Sequence, residues 1–243
     1  MSGLSLLTIA GVVVWVVLVV LAQLLTPEQS ALSMGMSGLA TGRHGWLMKL
    51  AYLIRGVTAT TFVAAVAASA HPSWPLFVGL VLIAVWGICS VLLVLFDTDM
   101  PGDEPTLHGI AHALLAAVGY VAVVVGMLLV SWGLRGDGAT AGLARWAGPI
   151  ALLTAVALFA QFAGFGAAAR AAAGAAGAAH PPAGGSDGYS HPAARGGAAG
   201  QAAVAAPSRA TAPAAGLARY AGLLQRVFLG MVMLWTVVVA AGV

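Results

Sequence analysis

The sequence predicts an all-α membrane protein, a polytopic bundle of six transmembrane helices. Of its 243 residues, 61% are hydrophobic and only 7% charged, where a soluble domain carries roughly a quarter charged residues. The mean hydropathy is +0.99, so lipid must solvate most of the surface. Continuous runs such as VVVWVVLVVLAQLL suit a helix of about 20 residues crossing a bilayer. They differ from the alternating segments of about 10 residues that build membrane barrels.

Six windows meet the length requirement: 4–25, 46–70, 75–96, 108–132, 143–165 and 217–243. The first has no basic leading region and no small-x-small cleavage site, so it is expected to be a retained span rather than a signal peptide. Trp46 opens the second, and the seven tryptophans are expected mostly near span ends, as interfacial anchors. Cys89 is the single cysteine; it allows no intrachain disulfide and reads as a small apolar core residue. From 166 to 213 the composition turns to Ala, Gly, Pro and Ser, which predicts a flexible loop with a helical extension of the fifth span through its alanines. His180 and His191 in that loop read as solvated. The whole chain, 1–243, reads as one membrane domain.

Orientation follows from the distribution of Lys and Arg. One side of a six-span topology holds Arg135 and Arg145; the other holds Arg43, Lys49, Arg170, Arg195, Arg209 and Arg219, with Arg55 and Arg226 near it. The positive-inside rule then predicts cytoplasmic first, third and fifth loops and extracytoplasmic termini. A pI near 9.5 reflects this orientation signal, and no basic stripe suggests nucleic acid as a partner. Membrane lipids are the partners the composition implies; it does not define protein partners or oligomeric state.

The same counting brings Ser33, Arg43, Lys49, Arg55, Asp97, Asp99, His108, His112 and Arg226 to one end of the bundle. Arg55 lies well inside its span, and a charge in hydrocarbon either snorkels or is paired; Asp97 or Asp99 is the expected partner, with Arg55–Asp97 as a structural ion pair. Arg226 is expected to snorkel. His108 and His112 are four residues apart and share a helix face, the geometry by which two imidazoles hold one metal. With Asp97 or Asp99 they form a candidate ligand set for a divalent metal with an open position for water. The alternative is a helix start, with Asp103 and Glu104 complementing the dipole, Pro105 in the first turn and Thr106 as cap.

Three segments, LSMGMSGLATGRHGWLMKLAYLIRG, FDTDMPGDEPTLHGIAH and LLQRVFLGMVMLWTVVVA, together resemble DUF998, a family of bacterial six-span membrane proteins of unknown function. The matching positions are Ser33 and Gly45 to Met48, then Asp97 and Asp99, then Thr106, Gly109 and His112. The resemblance implies the six-span fold, a bacterial cell membrane and a polar cluster at its cytoplasmic face. It supports His112 with Asp99 rather than His108.

Three function classes follow. The first is a structural or accessory membrane protein in which the polar cluster locks helices together. The second is a small permease or lipid-binding protein, which requires a cavity. The third is a metal-dependent intramembrane hydrolase acting on lipids, with Asp99 and His112 catalytic and Ser33 assisting.

Overall fold

The computed structural model describes residues 1–100, 103–136, 138, 140–179 and 212–243. Its helices are α1 Gly3–Leu24, α2 Gly45–Ser69, α3 Trp74–Leu92, α4 Leu107–Gly133, α5 Ala141–Ala179, α6 Ala212–Arg219 and α7 Ala221–Gly242, with a 3-10 turn at Met36–Ala40. All except α6 contain a stretch long and apolar enough to cross a membrane. Local chemistry marks the starts: Ser2 Oγ accepts the Ser5 N–H at 3.1 Å, proline occupies the first turn of α3 and Thr106 caps α4.

Helices adjacent in the chain pack side by side, and α7 returns against α1, so the six long helices close into a ring. Small residues bring α3 and α4 together. A Cβ on Gly79 would lie 2.8 Å from the Val130 N and 2.9 Å from the Gly126 oxygen, the close approach that membrane helices use in place of a hydrophobic driving force. Inside the ring sit Phe62, Met127, Phe228 and Trp235, all fully buried, and Trp235 Nε1 donates to Ser131 Oγ at 3.1 Å. Leucine, valine and phenylalanine side chains cover the outer faces, where lipid contacts them.

The tryptophans divide. Trp46, Trp74, Trp132 and Trp146 are exposed at helix ends, while Trp15, Trp86 and Trp235 are core residues. The end-anchoring expected from sequence therefore holds for the first four only, because the other three rings fill space between helices.

The window 217–243 is broken at Tyr220 into α6 and α7. The link after α1 docks at this break: Leu223 N–H donates to the Leu32 carbonyl at 2.9 Å, and a Cβ on Gly222 would overlap the Met34 carbonyl. The alanines after 166 continue α5 to Ala179. Of the rest of the expected flexible loop, 180–211, with His180 and His191, lies outside the described residues, and 212–213 open α6.

Candidate functional site

The acidic link between α3 and α4 forms a clasp. Asp99 Oδ2 accepts the Thr106 N–H at 2.9 Å and Oδ1 accepts its hydroxyl at 2.7 Å. Thr106 Oγ1 in turn accepts the Gly109 N–H at 3.0 Å. Gly109 is required here because a Cβ would overlap the Asp99 carboxylate. One turn on, His112 Nδ1 lies 2.8 Å from the Phe96 carbonyl; a carbonyl only accepts, so Nδ1 carries the proton and donates. The Thr-x-x-Gly-x-x-His pattern thus ties the start of α4 to the exit of α3. The Thr106 hydroxyl, followed by its backbone N–H, holds the Asp99 carboxyl below the usual carboxylate range.

The other expected site residues do not gather around this clasp. Asp97 is paired with Lys49 at 2.7 Å, both partners solvent-accessible, rather than with Arg55, because Lys49 stands a turn and a half nearer the mouth of α2. His108 is exposed with its ring 5.6 Å from that of Phe96. Among the described residues no three His, Cys, Asp or Glu side chains come together as a metal would need, so the set Asp97, Asp99, His108 and His112 is not assembled. Ser33 is exposed and outside the cavity described next, whose lining includes Ser37 instead.

That cavity, about 520 Å³, lies inside the ring at the clasp end. Its size falls within the roughly 300–1,000 Å³ of small-molecule sites. Arg55 stands in its wall. The residue lies ten positions after Gly45, the start of α2, or about 15 Å along the axis, and is only 1% exposed. Its Nε donates to Ser90 Oγ at 2.8 Å, and Ser90 donates onward to the Trp86 carbonyl at 2.8 Å. The guanidinium carbon lies 5.3 Å from the Tyr52 ring centre and 5.6 Å from that of Trp86. Among the described residues no carboxylate pairs with it, and its two terminal nitrogens have no hydrogen-bond acceptor. Arg55 therefore neither snorkels nor forms the expected ion pair.

Two glutamines complete the polar lining. Gln225 Oε1 accepts the Met36 N–H at 2.6 Å and its Nε2 donates to Tyr120 Oη at 3.0 Å, so the 3-10 turn is fastened over the cavity. Gln161, on α5, is buried with its carboxamide oxygen unpartnered. Sequence reasoning missed both, together with Tyr52, Tyr120 and Ser90. The available signal was that a polar amide inside an apolar span marks either packing glue or a site.

These features define an integral membrane protein of six spanning helices that encloses a cavity with a buried cation in its wall. The chain belongs to the DUF998 family: that family's model, described as a protein of unknown function, matches residues 9–184. Comparison with curated proteins and with solved structures gives no match.

Proposed function

We propose that the protein binds a small ligand bearing an acid group, as a lipid-binding protein or permease, with Arg55 as the counter-ion. The observation that carries this reading is a fully buried arginine, always protonated, that lines the cavity, is fixed by Ser90 and two rings and is paired with no carboxylate among the described residues. A buried charge is normally paired, and a carboxylate or phosphate would supply the missing partner by a bidentate contact. The clasp then has a supporting role: it fixes the α3–α4 end of the cavity, as a structural or accessory reading of the cluster requires. A metal-dependent hydrolase gains no support, because among the described residues no three His, Cys, Asp or Glu side chains come together and the carboxylates of Asp97 and Asp99 are held by Lys49 and Thr106. The Lys and Arg bias further suggests that the cavity end faces the cytoplasm of a bacterial cell.

The test is thermal unfolding of the purified full-length protein with octanoate, octyl phosphate, octanol or octyltrimethylammonium, wild type beside Arg55→Gln. The two anions should raise the unfolding temperature of the wild type, the alcohol and the cation should not, and Arg55→Gln should lose the response. Equal responses to all four compounds, or an intact anion response in the variant, would refute the proposal.

A further inference from the structure

The exposure of the cavity lining is lopsided. On α2 and α7 the lining residues, among them Tyr52, Arg55 and Leu229, are all buried, as is Leu93 just after α3. On α4 and α5 the lining stripe instead runs from buried to exposed. It passes from His112 to Ala113 on α4, and from Gln161 to Phe162 and Ala169 on α5. The wall is therefore closed on α2, on α7 and at Leu93, and thins out along the seam between α4 and α5, where alanines leave space. At the bundle end the 3-10 turn covers part of the cavity with buried Met36, fastened by Gln225, while Ser37, Thr98, Asp99 and Met100 line it half-buried.

Depth decides what the seam faces. Ala113 and Ala117 lie six and ten residues after Leu107, the start of α4, or about 9 and 15 Å along the axis. The second is the depth of Arg55 on α2, and both lie within the half-thickness of a hydrocarbon core of about 30 Å. A group leaving the cavity there enters acyl chains rather than water.

We infer that the ligand is an amphiphile taken from the bilayer: its acid group, carboxylate or phosphate, sits on Arg55 and its alkyl chain passes out between α4 and α5 across Ala113, Ala117 and Phe162. This rests on the proposed anion site and adds the ligand class and its route. Burying a charged head this deep is favourable only with a counter-ion in place, and Arg55 is that ion. An apolar seam flanked by alanines suits a flexible chain.

The experiment uses the full-length protein in lipid nanodiscs with two photoreactive probes, hexadecanoate and hexadecyl phosphate, each carrying a mid-chain diazirine. Cross-linked peptides are located by mass spectrometry. Label should concentrate on the 113–117 stretch of α4 and the 162–169 stretch of α5. Arg55→Gln should reduce it by about tenfold, the equivalent of one lost charge-assisted contact, and Ala117→Trp, which fills the seam, should also reduce it. The probe with the stronger label identifies a carboxylate or a phosphate as the head. Label spread evenly over the outer faces of all helices and unchanged in both variants would overturn the inference. So would competition by butyl phosphate equal to that by hexadecyl phosphate, which would point to an anion arriving from water through the bundle end. If octyl phosphate stabilises the protein yet no label appears at the seam, the route fails and the anion site stands. If no anion of either length binds, both fail.

Discussion

Replacing Arg55 by methionine tests the difference between a structural cation and one waiting for a ligand. The substitution removes the Nε bond to Ser90 and the contacts with two aromatic rings. A hydrogen bond from a charged group contributes about 1.5–3 kcal/mol, and two cation–π contacts contribute about 1 kcal/mol each. Against that loss of roughly 4 kcal/mol stands relief of the desolvation penalty of a buried ion without a counter-charge, itself several kcal/mol. Ser90 is not stranded, since its hydroxyl keeps the Trp86 carbonyl. Without ligand, Arg55→Met is therefore expected within about 1 kcal/mol of wild type. A buried cation that already had its partner would lose about 3–5 kcal/mol on the same scale. With an anionic amphiphile at a hundred times its Kd, the wild type gains about 2.7 kcal/mol and the variant gains nothing. The assay is thermal or denaturant unfolding of both proteins with and without octyl phosphate. A loss above about 3 kcal/mol without ligand, together with equal ligand responses, would refute the reasoning.

The clasp gives a pH prediction. Because the folded Asp99 carboxyl is held below its usual range, its stabilisation is present above the unfolded value of about 3.9 and is lost as pH falls below that toward the folded value. Unfolding temperatures between neutral and strongly acidic pH should fall more steeply for wild type than for Asp99→Asn, and Gly109→Ala, which displaces the carboxylate, should match the variant; parallel curves for all three would refute the assignment. Gln225→Leu leaves the buried Met36 N–H without its acceptor and removes the bond to the Tyr120 hydroxyl, so a loss of about 2–4 kcal/mol is expected. Hydrogen exchange should rise in 31–40 as the turn detaches. Arg226→Met should lose about 3 kcal/mol or more whether or not ligand is present, because it strands several carbonyl groups at once; unfolding measured beside Arg55→Met checks this.

The helical class and the six spans were legible because a bilayer imposes a length and a composition that few sequences meet by accident. Span ends were less legible. The run 217–243 carries no proline that would announce a break at Tyr220; the break comes from the docking of Leu32 and Met34 on α7, a contact between segments distant in the chain. Thr106 as a cap and the Asp99–His112 region as a cluster could be read from the pattern of residues. Their roles could not: that His112 Nδ1 meets the Phe96 carbonyl and that no second and third ligand stand beside it depends on which atoms the fold brings within about 3 Å. Arg55 shows the same limit. Its depth could be counted, but Asp97 was equally available to Lys49, and only the packing of α2 against α3 decides that Ser90 and Trp86 take the guanidinium.

Arg226 shows what a structural arginine looks like in this bundle. Its Nη1 donates to the carbonyls of Ala31 and Met34 at 2.9 Å and to that of Gly222 at 3.1 Å, and its Nη2 donates to the Gln23 carboxamide. It does not snorkel; it joins α1, the following link and α7. Two acceptors are carbonyls of the irregular link after α1, one is the Gly222 carbonyl in the first turn of α7 and one is a side-chain amide, so the fold supplies what the cation needs. Arg55, deeper and more completely buried, receives one hydroxyl and two ring faces. The same bundle that satisfies one arginine with four acceptors leaves the other with its terminal donors at a cavity. A packing role alone would be met as well by leucine or methionine without the desolvation of a charge. The asymmetry between the two arginines is therefore the argument for placing the proposed ligand's acid group at Arg55.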